Sequence, residues 1–197
     1  VLGVVSRLSA QKGFDLLLEA LPPFMARGRV RFAGLGSGSE KIATGLRELG
    51  RRFPGRAAFE VGFSEPKAHR IEAGSDFFLM PSRFEPCGLT QLYGHRYGTL
   101  PLVRAVGGLL DTVTDCSLEN LDDGSASGFV FHGLDEASLL SALRRAFALR
   151  RREADWRAVQ GFVEEASSAV RQFGLGEYTA SALSFVLSAR AALHRGD

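Results

Sequence analysis

The feature that most constrains this chain is the regular alternation of short apolar runs with stretches of helical periodicity. Six short runs are predicted strands, at residues 1–6, 30–33, 57–61, 76–80, 100–103 and 129–131. Helical spacing of apolar residues follows the first run, where Phe14, Leu17, Leu18 and Leu21 recur on one face. This alternation predicts the α/β class, an open parallel sheet with helices on both faces.

Turn-forming residues set the predicted ends of these elements. The pair Pro22-Pro23 is expected to stop the first helix, because proline interrupts the helical hydrogen bonds. Glycines within residues 34–38 are expected to close the second strand, and a helix is predicted over residues 88–97. The polar residues 114–127 predict a loop. Asp135 is the predicted N-cap of the helix that follows the last strand.

Composition excludes several classes of function. The 197 residues carry 24 Lys and Arg against 22 Asp and Glu, a balance too even for a protein that coats nucleic acid or an anionic membrane. No apolar stretch reaches the roughly 18 residues that span a bilayer. Cys87 and Cys116 form no disulfide framework and the four histidines show no ligand spacing. We therefore expect no nucleic acid, membrane or metal partner.

In open parallel sheets, ligands bind in the loops at the carboxyl ends of the strands. The first such loop is SRLSAQKG at residues 6–13, and it carries Arg7 and Lys12. Two cations gathered at one strand end suit a leaving group with two or three negative charges. The alternative is a water-exposed pair at the start of a helix, where such charges contribute little.

The loop richest in polar chemistry is PSRFEPCGLTQ at residues 81–91. Backbone N–H groups at the predicted helix start, around Gly88, Leu89 and Thr90, would form an anion site. Glu85 lies at its rim, and a carboxylate accepts two hydrogen bonds from sugar hydroxyls at once. This combination favours a phosphorylated sugar. Alternatively, Glu85 is a partner for the helix dipole; Cys87 is interpreted as a small packing residue.

Two further loops and one glycine-rich run leave alternatives open. The pair Gly107-Gly108 either brings backbone close to a ligand or forms a simple turn. Phe63, which follows the third strand, either stacks on a base or belongs to the core. The run at residues 34–38 superficially resembles a dinucleotide fingerprint, but its third glycine comes too early and a plain turn accounts for it.

Taken together, these motifs resemble bacterial glycogen synthase and plant starch synthase, retaining glycosyltransferases with two Rossmann-like domains (the GT-B type). The resemblance rests on residues 6–13, on HRI at 69–71, PSRFEPCGLTQLY at 81–93, YGT at 97–99, and GGL and DTV within 107–113. Tyr93 stands where many retaining relatives carry a second glutamate, as is typical of the synthases. The resemblance runs from Val1 to about Val159.

The family's reaction transfers glucose from ADP-glucose to the 4-hydroxyl of an α-1,4-glucan with retention, and it needs no metal or other cofactor. By position, the resemblance implies that Arg7 and Lys12 neutralise the departing diphosphate and that Glu85 binds the glucose hydroxyls. The other implied donor contacts are Phe63 beside adenine, the amides of Cys87, Gly88, Leu89 and Thr90, and the turn Gly107-Gly108.

The resemblance also implies how the whole enzyme is organised. Residues 1–160 would form the Rossmann-like nucleotide-sugar domain, and the helical tail at 161–197 would pack back on an amino-terminal Rossmann-like domain that this chain lacks. The chain begins directly in an apolar run, so we expect a fragment of a longer protein that is inactive alone. The expected location is the cytoplasm of a bacterium or the plastid stroma of a plant or alga.

Two alternatives to this function remain open. The chain could be a non-catalytic remnant that binds a nucleotide sugar, or part of a retaining transferase that uses UDP-glucose. Both keep the same fold.

Overall fold

A computed structural model describes residues 1–86 and 88–172 of the chain. Its six strands are β1 (Leu2–Val5), β2 (Phe32–Gly36), β3 (Ala57–Val61), β4 (Phe77–Met80), β5 (Leu100–Arg104) and β6 (Phe129–Phe131). They form one sheet in the order β3-β2-β1-β4-β5-β6, and every pair of neighbours is parallel. The predicted open parallel sheet is confirmed, with the strand order of a Rossmann fold.

Helices cover both faces of this sheet. The described residues form α1 (Phe14–Arg27), α2 (Glu40–Arg52), α3 (Glu65–Ala73), α4 (Thr90–Arg96), α5 (Gly108–Thr112), α6 (Leu118–Asp122), α7 (Glu136–Arg150) and α8 (Glu153–Gln172). Strand β4 shows the layering, because Phe77 and Leu79 belong to the main core whereas Phe78 and Met80 belong to a second cluster with Leu109 of α5. Burial on both faces explains why this strand is apolar throughout.

The end of α1 corrects one prediction. Pro22 and Pro23 do not stop the helix, which continues to Arg27. Two lost helical hydrogen bonds are tolerated because Met25 is fully buried beyond them. The Arg56 guanidinium also donates to the carbonyls of Met25 and Gly28, both at 2.9 Å, and so satisfies the carbonyl end of the helix.

Three other element boundaries differ from the sequence prediction. Strand β2 lies at Phe32–Gly36, so two of the glycines expected to close it pair with β1 and β3 instead. Helix α4 begins at Thr90, because Gly88 has a left-handed φ of 67° that no helix continues. The predicted loop at 114–127 contains α6, whose N-cap Ser117 accepts from the Asn120 N–H. The predicted N-cap Asp135 is confirmed by its bond from the Ser138 N–H.

Helix α8 bears on the predicted division of the chain. Residue 160 lies inside this helix, and Phe162, Val163 and Ala166 belong to the same core as Trp156. The described part of the predicted tail is therefore packed on the Rossmann-like core. The predicted helix at 178–193 lies outside the described residues, and the packing of the tail on another domain stays a prediction.

The strand order fixes the place of any ligand site. From β1 the chain builds outward to β3, then crosses back to place β4 on the other side of β1. The loops after β1 and β4 therefore leave the sheet in opposite directions and open a crevice between them. Ligands of doubly wound sheets bind at this switch point.

Candidate active site

The loops after β1 and β4 meet through a partly buried ion pair at the switch point. Lys12 Nζ donates to Glu85 Oε2 at 2.5 Å, although 73 residues separate the two in sequence. The side chains are only 19% and 10% exposed, so solvent and salt screen their attraction weakly. The structure thus brings together two of the three predicted catalytic residues.

Glu85 is held so that one of its oxygens stays available. Its Oε2 accepts from Lys12 and also from the hydroxyl of Ser82, a fully buried residue, at 3.1 Å. No described residue donates a hydrogen bond to Oε1. Lys12 and Glu85 line a small cavity together with Ser6 and Thr90. The free oxygen and the remaining ammonium protons are therefore groups that a ligand could engage.

Backbone hydrogen bonds tie the two loops to each other. The Arg83 N–H donates to the Gln11 carbonyl at 2.7 Å, and the Gln11 side chain donates to the Phe84 carbonyl at 3.0 Å. Arg83 also forms a bidentate ion pair with Asp15 of α1, in which Nη1 donates to Oδ1 at 2.9 Å and Nη2 donates to Oδ2 at 2.7 Å. These contacts fix the distance between the loops, so Lys12 and Glu85 are positioned before any ligand arrives.

Close packing at Gly13 brings the first loop against the second. Gly13 has a left-handed φ of 69°, and a Cβ there would lie 2.0 Å from the Pro81 carbonyl oxygen. Only glycine fits this approach. On the other side of the Glu85 loop, Arg104 Nη1 donates to the carbonyls of Ser82 and Arg83, each at 3.1 Å.

The glycine pair after β5 supports the backbone of Glu85. The Gly108 N–H donates to the carbonyls of Glu85 and Pro86 at 3.1 and 3.2 Å. Gly107 has a φ of 47°, and a Cβ there would lie 2.2 Å from the Glu85 carbonyl oxygen. The close approach that the glycines permit is thus an approach to the Glu85 loop. Their contact with a donor stays a prediction.

A family comparison identifies the family to which this fold belongs. The family model described as "Glycosyl transferases group 1" matches residues 1–148. The chain belongs to the group 1 glycosyl transferases. Over 160 residues, 81% of its length, it is 56% identical to the glycogen synthase of Albidiferax ferrireducens. The matched part of the chain spans about a third, 32%, of the length of that relative.

Solved structures give the same assignment of the transferase fold. The catalytic domain of starch synthase IV from Arabidopsis thaliana, bound to ADP and acarbose, matches 95% of this chain with 31% identity and a TM-score of 0.73; the chain covers 38% of it. The structure of a glycosyltransferase from Rickettsia africae matches 100% of this chain at 15% identity, with a TM-score of 0.65. The match covers 48% of the Rickettsia protein. The resemblance to glycogen and starch synthases and the GT-B fold are confirmed.

Arg7 and Phe63 lie at the same carboxyl edge of this transferase sheet. Arg7 is exposed in the loop after β1, and its guanidinium pairs with no carboxylate of the described residues. Phe63 follows β3 and is 90% exposed, so it does not belong to the core. A large apolar ring left in water at the ligand edge is available for stacking. The roles of both residues stay predictions.

The start of α4 holds the remaining predicted donor contacts. The helix begins at Thr90, so Gly88 and Leu89 precede its first turn rather than form it. The first N–H groups of any helix lack partners within the helix and face outward from its start. Cys87 lies outside the described residues. Whether these amides hold a phosphate or a glucosyl group stays a prediction.

Sequence reasoning missed three residues that build the site. Ser82 lies inside the central motif but acts through Glu85, Gln11 links the two loops, and Arg104 ends β5 behind them. Sequence signals existed for Ser82, which stands three positions before Glu85, and for Gln11, which stands next to Lys12 in the first loop.

Two absences concern the described residues alone. No group of three or more His, Cys, Asp or Glu side chains is placed to hold a metal ion in the described part of the chain. Among the same residues, no helix combines the length and apolar character needed to cross a membrane. The absence of a metal requirement stays a prediction.

Proposed function

We propose that this chain is the donor-binding part of an ADP-glucose-dependent glycogen synthase, which transfers glucose to the 4-hydroxyl of an α-1,4-glucan with retention. The observation that carries the proposal is the Lys12–Glu85 pair at the switch point of a chain 56% identical to a glycogen synthase. The starch synthase structure bound to ADP and acarbose, at 31% identity, supports the same donor and an α-glucan acceptor.

The departing diphosphate is the group that Lys12 would stabilise. In the transfer, the bond between glucose C1 and the phosphate oxygen breaks and its electron pair leaves with ADP. The acceptor oxygen bonds to C1, and its proton passes to the departing phosphate oxygen. Negative charge therefore grows on the diphosphate. One Lys12 proton is held by Glu85, which leaves two donors for phosphate oxygens. A fixed ammonium in a site of low exposure stabilises that charge without reorganisation.

Glu85 would orient the glucose. Its Oε1 accepts from no described residue, so two sugar hydroxyls have a carboxylate oxygen to donate to. Its Oε2 stays bound to Lys12, and this bond fixes the sugar site relative to the phosphate site. Arg7, exposed in the same loop as Lys12, would add a second cation to the diphosphate once the donor is bound.

The proposal extends to the partners of the whole enzyme. Because the chain spans 32% of its curated relative, we propose that an amino-terminal Rossmann-like domain completes the cleft and that this chain alone is inactive. The described residues provide no second sheet that could bind an acceptor. Because the relative is bacterial, we place the enzyme in the cytoplasm rather than in a plastid.

Donor titration of the 197-residue chain tests the proposal. We expect ADP-glucose to bind with measurable heat, and Lys12→Met to weaken this binding about 30- to 100-fold, because a charged phosphate contact is lost. Lys67→Met is the matched control, since Lys67 is an exposed lysine that also pairs with a glutamate, Glu60. Equal loss in both variants, or tighter binding of UDP-glucose than of ADP-glucose, would contradict the proposal.

Turnover separates an enzyme part from a binding remnant. When the chain is joined to the proposed amino-terminal Rossmann-like domain, we expect transfer of radiolabelled glucose from ADP-glucose to glycogen. Donor binding without any transfer in the completed protein would favour the non-catalytic remnant instead.

A further inference from the structure

A second cavity lies at the edge of the sheet opposite the candidate active site. It has a volume of about 460 Å³ and lies between the carboxyl-terminal ends of α1 and α7. Val30, which lines it, precedes the amino end of β2, whereas the Lys12–Glu85 pair follows the carboxyl ends of β1 and β4. This volume falls within the range of small-molecule sites. The cavity is therefore separate from the proposed donor site.

Four arginines surround this cavity, and none of its lining residues is acidic. Arg27 is the last residue of α1 and Arg29 follows that helix, whereas Arg144 lies within α7 and Arg151 follows it. All four are exposed, and no described residue forms an ion pair or side-chain hydrogen bond with any of them. By contrast, the neighbouring Arg150 pairs with Asp76 and with Glu153.

The arginines are not needed to cap α1. Cations near the end of a helix commonly bind its last carbonyl groups. In α1 that role belongs to Arg56, whose guanidinium donates to the carbonyls of Met25 and Gly28. Arg27 and Arg29 are thus left with charge and donors that no described group uses, and unused cations grouped around a cavity favour an anionic ligand.

The floor of the cavity is apolar and partly aromatic. It is formed by Phe24, Val30, Leu140 and Phe147. The rings of Phe24 and Phe147 meet edge to face with their centroids 5.4 Å apart, which holds both in place. An inorganic anion would leave this floor in contact with water. The cavity is complementary to an anion that also carries an apolar ring.

We propose that this cavity binds a small phosphorylated compound with an aromatic body, its ring on Phe24 and Phe147 and its phosphate among the four arginines. The volume of about 460 Å³ matches a small molecule rather than a protein segment. This site goes beyond the proposed function and is independent of the donor.

The probe that tests this proposal is 1-naphthyl phosphate, titrated into the 197-residue chain by calorimetry. We expect it to bind at least about tenfold more tightly than inorganic phosphate or 1-naphthol, because only 1-naphthyl phosphate contacts both the apolar floor and the four arginines. Saturating ADP-glucose should leave the affinity unchanged. Displacement of the probe by ADP-glucose that is lost together with donor binding in Lys12→Met would place the probe in the donor site and overturn the proposal.

Paired charge variants locate the site. Arg27→Gln combined with Arg144→Gln should weaken 1-naphthyl phosphate binding about tenfold or more, because it removes one rim cation from each helix. The matched control is Arg47→Gln combined with Arg51→Gln, which makes the same charge change on the exposed face of α2. Equal affinity in the two double variants, or equal affinity for phosphate and 1-naphthyl phosphate, would refute the site.

Discussion

Two glutamates of this domain are almost equally buried but lie in opposite environments. Glu85 is 8% exposed and Glu72 of α3 is 3% exposed. Glu85 accepts from Lys12 and Ser82. Glu72 Oε2 accepts no hydrogen bond from a described residue, and the half-exposed imidazole of His69 lies 3.5 Å away.

The pKa of Glu72 reflects this difference. Burial raises the pKa of its carboxyl, and the attraction of His69 opposes that rise. Burial alone therefore does not make a functional carboxylate. Glu85 has a partly buried cation as partner and an oxygen left for a ligand, whereas Glu72 of α3 has only the half-exposed imidazole of His69 beside its carboxylate. The comparison predicts that changes at the switch point alter catalysis and changes at α3 and α4 alter the pH dependence of stability.

The largest expected effect is on turnover. In the completed enzyme, Lys12→Met and Glu85→Gln should each lower the rate of glucosyl transfer about 10²- to 10³-fold, roughly 2–4 kcal/mol, because each removes charge from the site of bond cleavage. Initial rates with ADP-glucose and glycogen measure this. Glu60→Gln, at an exposed ion pair, is the control and should keep its rate. Near-normal rates in the Lys12 and Glu85 variants would show that neither residue acts in glucosyl transfer.

The next effect concerns the fit of the two loops. Gly13→Ala should destabilise the domain by about 3 kcal/mol or more, because its Cβ would lie 2.0 Å from the Pro81 carbonyl in addition to the left-handed strain. Gly55→Ala is the control, since Gly55 has a φ of 70° and nothing within 4 Å of the added Cβ. Gly55→Ala should lower the free energy of unfolding only through the left-handed strain, by about 1 kcal/mol. Urea unfolding that gave the two variants equal losses would disprove the close approach.

A pH effect should come from His95 in α4. This side chain is fully buried, its Nε2–H donates to the Ser127 carbonyl at 2.9 Å, and burial lowers its pKa to about 4, against the smaller opposite effect of that bond. Its stabilisation is fully present above the unfolded pKa near 6.5 and is lost as pH falls toward 4, by up to about 3 kcal/mol. His95→Gln should lack this loss in unfolding curves at pH 7.5, 5.5 and 4.5. Parallel pH profiles of the two proteins would contradict the assignment.

The smallest expected effect is at Glu72, and its sign is opposite. Because burial raises the folded pKa of Glu72 above the unfolded value near 4.5, its destabilising effect is absent at low pH and grows as pH rises through the folded pKa. Glu72→Gln should therefore gain stability relative to the native chain as pH rises from 4.5 to 7.5. A constant difference across that range would show that the carboxyl is not penalised by burial.

The sequence supports prediction of the sheet better than of the site. Apolar strands such as β4 stand out because a parallel sheet is buried on both faces, and the position of each loop follows from strand direction. The meeting of Lys12 with Glu85 depends on β4 lying beside β1, a long-range pairing that local periodicity does not encode. The continuation of α1 past Pro22-Pro23 likewise depends on a distant group, the Arg56 guanidinium.

A double-mutant cycle on ADP-glucose affinity tests the central claim most directly. The claim is that Lys12 and Glu85 form one donor site, so the dissociation constants of the native chain, Lys12→Met, Glu85→Gln and the double variant are the quantities to measure. We predict strong non-additivity, with the double variant no weaker than the weaker single variant and a coupling of about 1 kcal/mol or more. Losses that simply add would show that the two residues act on the donor separately or not at all.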